Sequence, residues 1–148
     1  MSDQSREQYD LIDAFLDGRL TPSGGDHLIK WLKSDPENLR AIARWIRENL
    51  GELTPWHVTR FFPCAEMRDV PPTPLETLET ARRIGIEEGL KFVYIGNVAE
   101  DQNTYCPSCG KLAIERFGYA TRVVDVTADG SCASCGASLG ITNTETQK

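Results

Sequence analysis

The sequence predicts an α+β chain, with helices at the N-terminus, one βαβ unit in the middle and a four-cysteine zinc ribbon near the C-terminus. Three observations carry that reading. Residues 1–50 set apolar side chains at helical spacing, and residues 51–100 pass from a strand pattern to a helix pattern and back to a strand pattern. Residues 101–140 hold four of the five cysteines as two C-x2-C-G pairs. Residues 141–148 are read as a disordered tail.

In the first block Tyr9, Leu11, Ile12, Phe15 and Leu16 make one apolar face, and Asp17-Gly18 ends it. A second helix is expected from Thr21-Pro22, carrying His27, Leu28, Trp31 and Leu32. It stops at Ser34-Asp35-Pro36, because a proline disfavours helix for the residue before it. A third helix follows with Asp35 as N-cap, Pro36 at its first position, and Leu39, Ile42, Trp45, Ile46 and Leu50 on its apolar face. Trp31 and Trp45 fall in register with aliphatic neighbours and read as packing residues. His27, beside Asp26, reads as surface.

The middle block opens with "LTPWHVTRFFP", short, aromatic and β-branched, so that residues 56–61 predict a buried strand. Thr73-Pro74-Leu75-Glu76 has the form of a capping box with proline at the first helical position, and Leu75, Leu78, Ala81 and Ile84 continue a helical face up to Gly89. "KFVYIGN" is then a continuous apolar run, as in a strand covered on both faces. Strand, helix and strand make a βαβ unit with a right-handed crossover.

Cys106, Cys109, Cys132 and Cys135 read as C-x2-C-x22-C-x2-C, the form of a tetrahedral structural zinc site. In each pair the turn points both sulfurs at one spot, and Gly110 or Gly136 takes the positive φ that the turn requires. Between the pairs Leu112, Ile114, Thr121, Val123 and Val126 alternate, broken by Gly118 and by Asp129-Gly130, as in a β-ribbon. Two other readings stand beside zinc. One is a pair of disulfides, which the polar opening stretch and the lack of a signal peptide argue against, pointing instead to a reducing cytoplasm. The other is a mononuclear rubredoxin-type iron centre, which uses the same thiolate geometry and carries electrons.

Composition limits the partners. The chain has 148 residues, 40% of them apolar, and a net charge of −6. No stretch is long and apolar enough for a membrane. A general nucleic-acid binder needs a basic surface, and the ribbon region offers only Lys111, Arg116 and Arg122 with the aromatic pair Phe117 and Tyr119. A protein partner or a second copy is expected instead, because a two-stranded parallel unit leaves unpaired N–H and C=O groups along its edges.

The run from "TPWHVTRFFP" through "MRDVPPTPLETLETARRIGIEEGLKFVYIGNV" and "NTYCPSCGKLAIERFGY" to "CASCG" resembles the C-terminal part of the radical SAM enzyme of the AmmeMemoRadiSam system, a relative of pyruvate-formate-lyase activating enzymes. The resemblance covers about residues 37–140. It implies that the βαβ unit is a remnant of a TIM-type barrel, and that Trp56, His57, Arg60 and Asn97 lie at or near the strands' C-terminal ends, where such barrels gather their sites. His57, Arg60 and Asn97 are therefore the residues it offers for cofactor binding. Alone, His57 reads as a core or rim residue, and Arg60 as a cation able to grip a carboxylate or phosphate in two-pronged fashion.

The C-x3-C-x2-C spacing that holds a 4Fe–4S cluster and S-adenosylmethionine in radical SAM enzymes does not occur, so no cluster is expected from this chain alone and no catalytic residue is assigned. Cys64, after Pro63, reads as a free, half-buried thiol. The segment "YDLIDAFLDGRLTPSGGDHLIKWLKSDPENLR" is similar over about 35 residues to the helical N-terminal modules of FecR-type anti-sigma regulators. Together these imply a non-catalytic zinc-binding accessory or interaction protein. Its alternatives are the C-terminal component of a split radical SAM enzyme and a rubredoxin-like electron carrier.

Overall fold

The structure, a computed structural model, describes residues 37–63, 71–99 and 101–142, with Asp10, Ala14, Arg19, Asp35 and Arg68 besides. The two helices expected before residue 34, with His27 and Trp31, lie outside the described residues, as do Cys64 and the tail beyond residue 142.

Helix α1 runs Glu37–Leu50. Asp35 caps it as the sequence implies: its Oδ1 accepts the Glu37 N–H at 2.9 Å, and its carbonyl accepts the Asn38 N–H at 3.0 Å. Ala43 and Trp45 are buried, while Leu39 and Ile46 are half-buried against the buried cluster of Ala43, Ile84, Leu90 and Val93. Leu50, expected on the same apolar face, is 56% exposed, because α1 ends there and the chain turns back toward the first strand.

Strand β1 (Trp56–Thr59) pairs in parallel with β2 (Val93–Gly96), in the register Trp56 to Val93, His57 to Tyr94, Val58 to Ile95 and Thr59 to Gly96. The Trp56 N–H reaches the Phe92 carbonyl at 2.9 Å, and the Arg60 N–H the Gly96 carbonyl at 3.0 Å. The strand expected over 56–61 is therefore shorter, with one further ladder bond at Arg60 before the chain leaves the sheet. Among the described residues, no strand pairs with the outer edge of β1.

Helix α2 (Leu75–Glu87) crosses between the strands and buries Leu78, Ala81, Ile84 and Gly85, the face its periodicity predicts. Its start departs from the expected capping box. Pro74 itself occupies the N-cap, and no side chain caps the helix. Thr73 is engaged elsewhere: its N–H donates to the Phe61 carbonyl at 3.2 Å, its Oγ1 accepts the Phe61 N–H at 3.2 Å, and its carbonyl accepts Arg60 Nε at 2.9 Å. The hydroxyl that would cap α2 thus fastens the entering loop to the end of β1. The C-terminus follows a Schellman pattern, with Gly89 N–H to Ile86 O at 3.0 Å and Leu90 N–H to Gly85 O at 3.0 Å, and Leu90 buried beneath it.

Arginines from α1 close over that end. Arg40 bonds Glu87 at 2.6 Å and Glu88 at 3.2 Å, and Arg44 bonds Glu88 at 3.2 Å. Arg40 and Arg83 hold the Glu87 carboxyl below its ordinary range; partial burial opposes the charge on Glu88, but Arg44 and Arg40 outweigh it.

Gly85 marks where α2 touches the sheet most closely. A Cβ there would stand 2.8 Å from Val93 Cγ2 and 2.9 Å from Trp56 Cε3. Gly85→Ala improves helix propensity by about 1 kcal/mol, yet it overpacks two side chains already held by the core, at a cost of about 1–3 kcal/mol. We expect a net destabilisation of up to about 2 kcal/mol in urea unfolding; a variant more stable than the parent would show that α2 can shift off the sheet.

The ribbon is a separate antiparallel sheet in the order β3 (Thr104–Tyr105), β4 (Leu112–Phe117), β5 (Ala120–Val123). Gly118-Tyr119 turns the β4–β5 hairpin, with Phe117 opposite Ala120. The ribbon does not extend the parallel sheet. It covers one of its faces, through the cluster of Phe92, Cys106, Ala113, Cys132 and Leu139 with Leu53, Tyr94 and Ile114 packed against it. Val93 belongs to the helix-side cluster, so β2 is covered on both sides, as its apolar run predicts. His57 and Thr59 of β1 stay exposed.

Candidate metal centre

The two cysteine pairs fold into the same turn twice. In the first the Gly110 N–H bonds the Cys106 carbonyl at 2.9 Å and the Cys106 N–H the Lys111 carbonyl at 2.8 Å; in the second Gly136 bonds Cys132 at 2.8 Å and Cys132 bonds Ala137 at 2.9 Å. Gly110 and Gly136 have φ of 72° and 75°, a conformation that side chains other than glycine rarely adopt. Each turn aims backbone N–H groups at its first sulfur, from Ser108 and Cys109 to Cys106 and from Ser134 and Cys135 to Cys132. Such donors stabilise a thiolate.

The turns face each other. Cys106 Sγ lies 3.6 Å from Cys135 Sγ and Cys109 Sγ 3.7 Å from Cys132 Sγ, and all four sulfurs fall within 4.8 Å of one another. A tetrahedral ion with metal–sulfur bonds of about 2.3 Å needs sulfur–sulfur edges of about 3.8 Å, so the donor set fits. A disulfide needs about 2.05 Å, and all four thiols are free. Cys106 and Cys132 are buried, and Cys109 and Cys135 reach the surface.

Charge explains why these sulfurs need a cation. Burial pushes the Cys106 thiol up, but the N–H groups of Cys109 and Ser108 and the neighbouring thiols bring it down to about 7. Burial pushes the Cys132 thiol up as well, and there Cys135 and Asp125 add to it and outweigh the N–H groups of Cys135 and Ser134, so that it rises to about 12. Without a positive ion the site therefore resists carrying all its thiolates at once. A divalent metal reverses that balance and drives the protons off as it binds.

Two polar neighbours were not among the residues the spacing singles out. Asp125 Oδ2 lies 3.4 Å from Cys132 Sγ, its carboxyl held below its ordinary range by Ser134 and by Cys132. Lys111 Nζ donates to Ser134 Oγ at 2.9 Å, tying one turn to the other. Both stand outside the C-x2-C pattern; Lys111 follows the first turn directly, its backbone N–H bonding Cys109, while the chain's return brings Asp125 to Cys132. Polar residues inside an otherwise alternating segment were the available signal.

His57, Arg60 and Asn97 do not converge on the sulfurs. Arg60 and Asn97 follow immediately on β1 and β2, at the C-terminal ends of the parallel pair, where Asn97, with φ of 59°, donates to the Arg60 carbonyl at 3.3 Å. Arg60 also stacks over Phe62 at 5.0 Å. Trp56 and His57 belong instead to the first half of β1; Trp56 packs against the helix-side core, and His57 stacks on Tyr94 with ring centroids 5.0 Å apart. Tyr94 in turn meets the ribbon: its hydroxyl is 2.7 Å from Thr104 Oγ1, which accepts Arg116 Nη1 at 2.6 Å.

Over 108 residues, 71% of its length, the chain is 47% identical to an uncharacterized protein of Methanocaldococcus jannaschii, of which it spans 32%. No family model and no solved structure matches it. No helix among the described residues is long and apolar enough to cross a membrane. What the geometry establishes is a mixed α/β chain carrying, near its C-terminus, four cysteines that could hold one metal ion.

Proposed function

We propose that the chain is a non-catalytic zinc-binding accessory protein, related to the C-terminal part of AmmeMemoRadiSam radical SAM enzymes, in which the ion fixes the ribbon against a remnant of the barrel. The observation that carries this reading is the set of four free sulfurs within 4.8 Å, presented by two turns of identical hydrogen bonding. Zinc suits an all-thiolate tetrahedral set with no open position, which is the pattern of structural rather than catalytic sites. Protein purified without added metal is expected to hold about one zinc ion per chain and to be colourless. A red preparation with iron in the same amount would replace this reading with the rubredoxin-type one.

A second reading is favoured by two observations: the outer edge of β1, with which no strand among the described residues pairs, and a relative about three times as long as the segment it shares with this chain. On this reading the chain supplies the last part of a radical SAM barrel to a separate cluster-bearing polypeptide, and Arg60 and Asn97 join its substrate side. Reduced, iron-reconstituted chain alone is expected to form no 5′-deoxyadenosine from S-adenosylmethionine; formation only with a second polypeptide present would favour the split enzyme. A second copy pairing along β1 is the other way to cover that edge. Light scattering at micromolar concentration is expected to give a mass above the 16.5 kDa of one chain; a mass that stays there on concentrating excludes the dimer.

A further inference from the structure

The placement of the four sulfurs implies more than a grip on an ion. Two sulfur–sulfur contacts with hydrogen-bond geometry each join a buried cysteine of one turn to an exposed cysteine of the other: Cys106 with Cys135 at 3.6 Å, and Cys132 with Cys109 at 3.7 Å. We propose that the centre is a site of reversible oxidative modification, in which peroxide expels the metal and converts the cysteines into two disulfides that cross between the turns, Cys106–Cys135 and Cys109–Cys132. The metal half of this statement rests on the zinc reading above; the pairing rests on the sulfur geometry alone.

The chemistry balances without a further reactant. Hydrogen peroxide meets the exposed sulfur of Cys135 or Cys109 first, since the other two are shielded. The thiolate attacks one peroxide oxygen, the O–O bond breaks, and a sulfenic acid and hydroxide result. The buried partner then attacks the sulfenic sulfur, an S–S bond forms, and a second hydroxide leaves. Carried out at both pairs, four thiolates reduce two peroxides and become two disulfides, and the metal departs as the free divalent ion because no thiolate remains to hold it. A thiol reductant restores the original state by exchange.

The crossed pairing has a structural consequence that pairing within a turn lacks. A bond between Cys106 and Cys109 would close a loop inside a turn already fixed by its own hydrogen bonds, and would leave the two turns unconnected. Crossed bonds keep Cys106 and Cys132 together in the cluster with Phe92, Ala113 and Leu139. The oxidised, metal-free ribbon therefore keeps its place on the sheet, and the chain survives a stress that removes its ion.

The full chain is titrated with hydrogen peroxide while a colorimetric chelator reports zinc release, then cut with trypsin without reduction. The sequence places cleavage sites after Lys111, Arg116 and Arg122, between the two turns, and none inside either turn. Crossed disulfides give one linked species of two peptides that separates on reduction; disulfides within the turns give two unlinked peptides and overturn the proposal, as does over-oxidation to sulfinic acid without any disulfide. Fragmentation of the linked species assigns the pairs, and Cys106–Cys132 with Cys109–Cys135 also overturns the proposal. Linked peptides from protein that holds no zinc when purified would uphold the pairing and remove the zinc reading, whereas zinc release with unlinked peptides would do the opposite.

Discussion

Cys132→Ser is expected to cost the ribbon its fold. The substitution removes one of four donors and puts a hydroxyl at a position 1% exposed, within the cluster of Phe92, Cys106, Ala113 and Leu139. Structural zinc contributes about 10–16 kcal/mol of apparent binding free energy in small modules at neutral pH, and in such modules that energy is folding energy. A small β-ribbon buries too little apolar surface to stand without its ion or a covalent substitute. The expected loss is more than about 4 kcal/mol, in the class of lost metals and disulfides rather than of ordinary point substitutions. Zinc content should fall with it, and chelator treatment of the parent should give the same spectrum as the variant. A Cys132→Ser chain that kept the parent's melting curve would mean that the apolar cluster alone holds the ribbon.

Gly130→Ala should be nearly as damaging, for a steric reason. Gly130 is buried with φ of 80°, and a Cβ there would lie 1.7 Å from the Ile141 carbonyl oxygen and 2.8 Å from its carbon. These are backbone atoms and cannot rotate away. Relief requires the tail to lift, breaking the Leu139 N–H bond to the Gly130 carbonyl at 3.2 Å and withdrawing Leu139, 2% exposed, from the cluster. Adding the cost of a left-handed alanine, about 1 kcal/mol, to that of a disrupted core contact gives a destabilisation of about 3–4 kcal/mol. Gly118→Ala is the matched control. Gly118 has φ of 57° with no atom within 4 Å of the added Cβ, so only the conformational cost of about 1 kcal/mol is expected. Equal effects at the two sites would show that the close approach to Ile141 is not maintained in solution.

Much of this architecture was legible in residue patterns, and where it was not, competing interactions explain the difference. Paired C-x2-C-G motifs place four sulfurs at one point because the turn they encode is local, and the Asp35 cap and the Leu78, Ala81, Ile84 face are equally local. Thr73 shows the limit. Its spacing from Glu76 has the capping-box form, yet the hydroxyl serves Phe61, a partner 12 residues away that no local pattern announces. Asp125 reaches Cys132, and the Lys111 ammonium reaches Ser134, only through the chain's return. The ribbon's seat on a face of the parallel pair, rather than along its edge, is a long-range packing outcome of Phe92 and Tyr94, and period-two alternation carries no information about which surface covers a strand.

The strand β2 gives the two halves of the chain a common wall. Val93 faces the helices while Phe92, just before the strand, and Tyr94 face the ribbon, so a displacement of one cluster is felt by the other across a single layer of backbone. Substitutions on opposite sides of such a wall should be energetically coupled. Ile84→Ala combined with Leu139→Ala would then depart from the sum of the separate effects, although the two side chains belong to different clusters. By the same route, amide protons of residues 93–96 should exchange faster when the ion is withdrawn, and the occupancy of the sulfur site becomes readable in the hydrogen-exchange protection of a strand that supplies none of its ligands.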